Sequence, residues 1–197
     1  MNRLLATIQG TEIWQQEDNT FQYVAGLTVD ADGSPRCYGP NDSGLDATIC
    51  AGHPGNWWGV MTDENGDPLI QGPDDPAPGF YVSTTSLQNK DFAKTDPRRY
   101  LNAELIPFVV IPGILAKTCS GIALGCKVMV QNIKTGDQTL AVCGDIGPST
   151  HLGEVSMKTA AIMGVNNSPR IGGDPRLIFR YTFYPGVAAQ GYQLQPL

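Results

Sequence analysis

Apolar residues along this chain fall in short runs separated by turn-forming residues, a pattern that favours a β-rich protein. The clearest case is a hairpin in which strands at 127–133 and 138–143 flank a turn at 134–137. A continuous apolar run at 105–112 predicts a buried strand, and Pro107 within it favours an edge position or a bulge. The remaining β predictions are a strand that enters a turn over 26–35, short strands at 57–61 and 69–70, a β-prone segment at 80–85 and a last strand at 178–184.

Helical patterns are rare in comparison. The best one covers 155–163, where Gly164 is expected to end the helix. The 23 glycines and 15 prolines make up about a fifth of the 197 residues, against roughly 12% in an average protein. The length predicts one domain, with residues 26–197 as its body and residues 1–25 as an N-terminal extension packed on it.

The charge of the chain narrows the choice of partners. Thirteen Lys and Arg residues against nineteen Asp and Glu residues give a formal net charge of −6. No basic cluster exists beyond Arg98 and Arg99, so nucleic acid is not expected as a partner. No apolar run reaches about 18 residues, so no membrane span is expected either. An acidic surface suits a neutral or cationic ligand, although the same charge also serves solubility alone.

Five cysteines bear on the compartment and on metal binding. With no C-x-x-C pair and only His53 and His151, a zinc site is not expected. Short separations favour two disulfides, Cys37–Cys50 and Cys119–Cys126, while five reduced thiols remain the alternative.

The first eight residues have too short an apolar stretch for a signal peptide. An extracellular, secreted protein is nevertheless favoured. Removal or replacement of a signal, another export route and retention inside the cell are the open alternatives.

The strongest candidate for chemistry is a pair of acids nine residues apart. An apolar strand delivers Asp145 between Gly144 and Gly147, where a ligand can approach the backbone closely. Glu154 stands among apolar neighbours at the expected start of the helix. Two carboxylates in such different surroundings can have pKa values that diverge, as general acid/base catalysis requires. The competing interpretation is structural, with Asp145 capping a turn and Glu154 favouring the helix N-terminus.

Other motifs are weaker. Asp42-Ser43-Gly44 resembles an aspartic-protease triplet but follows a turn instead of an apolar strand. The segment 63–67 resembles half of a calcium loop, yet Pro68 stands where that loop needs glycine.

Two tryptophans and two histidines are secondary candidates. Because neighbouring residues of a strand point to opposite faces, at most one of Trp57 and Trp58 is expected to face a sugar, and the other to join the core. His53 and His151 are more typical of hydrogen-bonded loop residues, although His151 lies between the two acids in the sequence.

A resemblance to a known family rests on two segments, G-D-I-G-P at 144–148 and L-G-E-V-S at 152–156. Together they resemble the catalytic segment of glycoside hydrolase family 75, the endo-chitosanases, whose pattern is G-D-x-G-P followed by I-G-E-x-S. The segment V-D-A-D-G at 29–33 and the segment P-F-V-V-I-P at 107–112 resemble further parts of that family. The resemblance covers roughly 26–164, and Cys143 before Gly144 departs from the pattern.

What the resemblance implies is an endo-acting glycoside hydrolase, with residues 26–197 as its catalytic domain. It would degrade the polysaccharide chitosan by cleaving β-1,4 linkages with inversion of configuration. Asp145 and Glu154 would be its catalytic residues. Apolar neighbours favour Glu154 as the general acid and leave Asp145 as the base, although the reverse assignment stays open.

Protonated amines of chitosan would pair with acidic residues of the cleft, for which Asp30, Asp32 and Asp46 are the candidates. Trp57, Trp58 and His151 complete the expected substrate contacts. No metal or organic cofactor is expected, and the protein is expected to be a monomer.

The order strand, Asp, loop, acid, helix is also similar to that of expansins and related endoglucanases. By analogy it implies a mainly β, single-domain, six-stranded double-psi-like barrel with long loops and one or two short helices. Two rival functions remain. One is a non-catalytic carbohydrate-binding barrel of the expansin type, and the other is a hydrolase directed at peptidoglycan.

Overall fold

Ten strands and two short α-helices form most of the regular structure of residues 2–197, which are the residues described by this computed structural model. Three 3-10 helices, at Pro40–Asp42, Thr48–Ala51 and Pro97–Arg99, complete it. The first five strands are β1 (Arg3–Ile8), β2 (Thr11–Gln15), β3 (Phe21–Asp30), β4 (Gly52–His53) and β5 (Asn56–Trp57). The remaining elements are β6 (Phe108–Pro112), α1 (Gly113–Thr118), β7 (Cys126–Asn132), β8 (Gln138–Gly147), β9 (Glu154–Ser156), α2 (Met157–Ile162) and β10 (Asp174–Ala188).

Six of these strands close into a barrel. Their order is β3, β10, β7, β8, β6, β9, and β9 then pairs with β3 again. The β3–β9 and β6–β8 pairs are parallel, and the other pairs of the barrel are antiparallel. β1 and β2 extend the sheet beyond β3 as a hairpin. The mainly β fold with a six-stranded barrel, long loops and two short helices is therefore as the sequence predicts.

The hairpin of β7 and β8 lies where the hydrophobic pattern places it, and β6 lies within the predicted run at 105–112. Of the two alternatives suggested by Pro107, the edge position is wrong, because β6 pairs with β8 on one side and β9 on the other. A bulge is present in the β6–β8 pair, but it lies at Val109 and Val110 and not at Pro107. Pro107 immediately precedes β6, so its missing N–H breaks no ladder bond within the strand. Of the segment at 57–61, Trp57 belongs to β5, which pairs with β4. The rest of that segment and the segments at 69–70 and 80–85 pair through isolated bridges such as Val60 with Ser83.

The helix predicted at 155–163 begins later than expected. Residues 154–156 form β9, and α2 starts at Met157 with Ser156 as its N-cap, whose hydroxyl accepts from the Thr159 N–H. The physical reason is tertiary: Val155 is fully buried as the register partner of both Val29 and Val109. Barrel closure therefore overrides the local helical pattern, and Glu154 lies in a strand instead of at a helix start.

The N-terminal residues contribute to the barrel as well as to the hairpin. β3 begins at Phe21, so residues 21–25 of the expected extension belong to a barrel strand. Inside, the ring of Tyr23 stacks on Tyr181 with centroids 4.9 Å apart and lies 6.1 Å from Phe183. Burial of such aromatic side chains is the main favourable term for a barrel of this size.

All five cysteines are free thiols in residues 2–197, so the two predicted disulfides are wrong. Cys37 is fully buried whereas Cys50 is exposed. Cys126 of β7 instead lies beside Cys143 of β8, next to the register pair Lys127–Val142. The pKa of Cys143 is raised well above its ordinary value by its contact with Cys126 and by burial. Neither helix, at six residues each, has the length that crossing a membrane requires, and no other described helix does.

Candidate active site

A bulge in β8 presents Asp145. Val109 pairs with Cys143 and Val110 pairs with Asp145, which leaves Gly144 as an extra residue between the two pairs. A Cβ on Gly144 would lie 2.8 Å from the Cβ of Phe108, so only glycine fits here without displacement. The bulge thereby sets the direction in which the Asp145 side chain leaves the strand.

The carboxylate of Asp145 is held by one of its two oxygens. Oδ1 accepts the N–H of Ser86 at 2.9 Å, the hydroxyl of Ser86 at 2.5 Å and the N–H of Ile146 at 2.8 Å. Burial raises the pKa of Asp145, and these three donors act against that rise. The three donors therefore offset part of the effect of burial, and the pKa of Asp145 remains raised.

Glu154 reaches the same region from β9. Gly153 precedes it with φ of +87°, and a Cβ there would lie 2.3 Å from the carbonyl oxygen of Gly26, so the turn requires glycine. Burial, followed by the negative charges of Asp145 and Asp46, raises the pKa of Glu154 to about 7. Its carboxyl group accepts no hydrogen bond from residues 2–197. Glu154 is therefore a carboxylic acid that keeps its proton close to neutral pH.

The two acids flank one strand. β6 lies between β8 and β9, and its Val110 is the register partner of Asp145 and, through the pair Val109–Val155, the neighbour of Glu154. Gly147 fills the remaining space, since a Cβ there would lie 2.9 Å from Oε2 of Glu154 and 2.8 Å from Cγ1 of Val110. Asp145 and Glu154, which precede and follow a loop in the sequence, thus lie on either side of Val110 in the sheet.

Two further acids lie against Asp145. Oxygens of Asp30, Asp32 and Asp145 all lie within 4.8 Å of one another. Oδ1 of Asp30 accepts the N–H of Asp32 at 2.7 Å, and Oδ1 of Asp32 accepts the hydroxyl of Ser83 at 3.4 Å. Burial and the neighbouring negative charges raise the pKa of both Asp30 and Asp32 well above the ordinary range. A cationic group would relieve this repulsion, and oxygen ligands in this arrangement are those that could also hold a divalent cation.

A cleft of about 480 Å³ lies beside this cluster. Asp32, Asp145 and Trp58 line it together with Ser86 and Lys94, whereas Asp30 and Glu154 do not. Trp58 is 59% exposed, and its indole N–H donates to the Cys50 carbonyl at 2.9 Å. The bond holds the ring in place while leaving much of its surface to solvent, as sugar stacking requires.

Trp57 behaves differently from its neighbour. It is partly buried, packs against the core and lies with its ring centroid 6.3 Å from that of Tyr81. The expectation that at most one of the two tryptophans faces the cleft agrees with this arrangement. Trp57 does not line the cleft, and neither does His53, whose ring packs edge-on against Trp58 at 6.3 Å.

His151 lies in the loop between the two acids. Its Nε2 is 2.9 Å from the Thr28 hydroxyl, and Thr28 is the register partner of Glu154. The histidine therefore attaches the loop to β3 next to Glu154, which brings it near the site without lining the cleft.

Asp46 and its supporting arginine complete the site. Asp46 is half-buried and contributes to the raised pKa of Glu154. Arg170 donates to the carbonyls of Asp42, Gly44, Leu45 and Asp46 and to the Asp42 carboxylate at 2.8 Å. This one guanidinium fixes the loop that carries Asp46.

Sequence reasoning missed Arg170 and Ser86. Arg170 is 124 residues from Asp46 and Ser86 is 59 residues from Asp145, so no local motif marks either contact.

Neither a family model nor a curated protein matches this chain in the comparisons with known proteins.

Proposed function

We propose that this protein is an endo-acting glycoside hydrolase that cleaves β-1,4 linkages of chitosan with inversion. The observation that carries the proposal is the contrast between the two acids beside Val110. Asp145 is held by three donors, whereas Glu154 has none and has a pKa raised to about 7. This is the division expected between a base and an acid that work at the same pH.

In the proposed reaction, Glu154 donates its proton to the glycosidic oxygen as the bond to the anomeric carbon breaks. A water molecule attacks that carbon from the opposite face, and Asp145 accepts the proton that the water loses. The products are a new reducing end with inverted configuration and a free hydroxyl on the leaving sugar. Proton exchange with solvent then restores both residues.

One strand, β6, separates the two acids, so their backbones are roughly 9 to 10 Å apart at the usual strand spacing of about 4.8 Å. This spacing leaves room for a water molecule between their side chains. Inversion further requires the two carboxyl groups to lie about 6.5–9.5 Å apart, against about 5 Å for retention.

The charge of the cleft supports an amino-sugar polymer as substrate. Asp30 and Asp32 add two carboxylates within 4.8 Å of Asp145, and no Lys or Arg forms a salt bridge with any of the three in residues 2–197. A protonated glucosamine amine supplies the missing positive charge and three N–H donors. The exposed ring of Trp58 offers a surface for the apolar face of a pyranose.

The decisive experiment measures reducing ends released from deacetylated chitosan. Asp145→Asn and Glu154→Gln should each lower kcat by roughly 100- to 10,000-fold, the usual contribution of a general acid or base. Asp74→Asn and Glu64→Gln make the same chemical changes at exposed positions and should retain full activity. Proton NMR of the first product should show the anomer opposite to that of the substrate.

The result that contradicts the proposal is near wild-type activity in either site variant. The rival function is a non-catalytic carbohydrate-binding barrel, which the exposed ring of Trp58 would support equally well. The variant Trp58→Ala distinguishes the two functions. An enzyme should release products with a raised KM in this variant, whereas a binding module should release none at any stage. Purified bacterial cell wall, digested in parallel, identifies a peptidoglycan hydrolase if it is cut and chitosan is not.

A further inference from the structure

Only one oxygen of the Asp145 carboxylate is engaged. All three of its hydrogen bonds end on Oδ1, and Oδ2 accepts none from residues 2–197. A general base needs one oxygen with a free lone pair directed at the water it activates. The two oxygens are therefore already distinct, with Oδ1 as the anchor and Oδ2 as the free atom.

Two of the three anchoring donors belong to Ser86. Its segment is attached to the strand that carries Asp145, because the N–H of Leu87 donates to the Gly144 carbonyl at 2.9 Å. Thr85 fixes the other side, since its hydroxyl donates to the Leu87 carbonyl at 2.8 Å and accepts the N–H of Leu101 at 3.0 Å. Ser86 therefore meets Asp145 through a segment that is bonded on both sides of it.

The direction of the Ser86 hydroxyl is also fixed. The N–H of Ile146 lies 3.3 Å from the serine oxygen and so occupies an acceptor position on it. The hydroxyl proton is left to point at Oδ1 of Asp145, 2.5 Å away. A bond this short to a carboxylate is typical of charge-assisted hydrogen bonding, which favours the ionised acid.

We propose that Ser86 is the positioning residue of the reaction: it anchors Asp145 through Oδ1 and thereby presents Oδ2 to the attacking water. The inference rests on the proposed function for its place in catalysis. Because hydrogen bonds from Ser86 lower the pKa of Asp145 against the effect of burial, Ser86 also favours the ionised form of the base. Neither role needs Ser86 to touch the substrate.

Substitution of the hydroxyl tests the inference. Ser86→Ala should lower kcat on chitosan by roughly 10- to 100-fold with little change in KM, since a bond to a charged group is lost. The acid limb of the pH–rate profile should move to higher pH, because the base becomes harder to ionise. Ser86→Thr keeps the hydroxyl and should restore most of both. Ser120→Ala, at an exposed serine, is the matched control and should change neither.

A second readout does not depend on activity. Carbon-13 NMR of the Asp145 carboxyl group, assigned with Asp145→Asn, should show a higher pKa in Ser86→Ala than in the wild type and in Ser86→Thr. An unchanged titration overturns the inference, as does a loss of activity that Ser86→Thr fails to restore. If the wild type cuts no glycan, the proposed function is wrong, and so is the proposed role of Ser86 in catalysis. The titration then decides separately whether Ser86 holds the carboxylate.

Discussion

Asp145 and Glu154 lie on opposite sides of Val110, one on β8 and the other on β9, with β6 between them. The two acids are nine residues apart in sequence and two strands apart in the barrel. The negative charge of Asp145 is one of the causes that raise the pKa of Glu154 to about 7. Asp145 therefore helps to set the protonation state in which Glu154 would work.

Activity should fall above about pH 7, because a general acid must carry its proton and Glu154 loses it there. Asp46→Asn removes one negative charge that raises this pKa, so the alkaline limb should move to lower pH by about half a pH unit. The measurement is kcat/KM on chitosan between pH 4 and pH 9. Asp67→Asn, at an exposed turn, should leave the limb in place. A limb that moves to higher pH in Asp46→Asn would contradict the electrostatic assignment.

Gly147→Ala should abolish most activity with only a moderate loss of stability. The new methyl group would meet Oε2 of Glu154 at 2.9 Å and Cγ1 of Val110 at 2.8 Å, so the acid must move. Gly113→Ala is the matched control, because its methyl group meets nothing closer than 3.6 Å. Reducing-end assays and thermal melts of both variants check the prediction. Equal activity in the two would show that the position of Glu154 is not critical.

Arg170→Ala should raise KM by several-fold and leave kcat less affected. The change removes the donors that hold the carbonyls of Asp42, Gly44, Leu45 and Asp46, so the loop with Asp46 loses its fixed position. Arg176→Ala is the control, since Arg176 pairs only with nearby Asp174. Steady-state kinetics on chitosan oligomers separate KM from kcat. The proposed role of the loop in substrate binding is wrong if the two variants behave alike.

Above about pH 4, the buried acids should make the protein less stable as pH rises, opposite to the trend of a protein held by ionised carboxylates. Asp30, Asp32 and Glu154 all have raised pKa values in the folded state, so they bind protons more tightly there than in the unfolded chain. The stability they contribute is fully present below their unfolded pKa values near 4. It is lost as pH rises through the folded values, which for Glu154 means about 7.

Asp30→Asn isolates one part of this effect. The amide oxygen can still accept the Asp32 N–H, while the buried charge is removed. The variant should be more stable than the wild type at pH 8, by on the order of 1 kcal/mol, and nearly equal at pH 4. Chemical denaturation at the two pH values gives both numbers, with Asp91→Asn as the exposed control. Lower stability of Asp30→Asn at pH 8 would contradict the assigned pKa direction.

Several strands of the barrel follow from local pattern, whereas the closed barrel is implied only by the resemblance to expansins and the details of the site follow from neither. The hairpin of β7 and β8 is readable because apolar runs flank a clear turn over 134–137. Residues 155 and 156 look helical in sequence but form a strand, since Val155 is buried between Val29 and Val109. That contact joins distant parts of the chain, and no local propensity can reveal it.

The same limit applies to the side chains around the acids. Asp145 and Glu154 stand out because glycines and apolar residues surround them in sequence. Ser86 and Arg170 have no such signal in the sequence. Their roles depend on the hydrogen bonds that they donate to Oδ1 of Asp145 and to the carbonyl of Asp46, respectively. The disulfide predictions failed for a related reason: spacing along the chain says nothing of strand register, which places Cys126 beside Cys143.

The short strand β9 has a consequence for how the protein must assemble. Its three residues both carry Glu154 and join the two ends of the strand order, through β3 on one side and β6 on the other. The β6–β9 pair places Glu154 two strands from Asp145, and the β3–β9 pair then closes the barrel around it. Because the β3–β9 pair joins distant parts of the chain, the position of Glu154 should become fully fixed only late in folding.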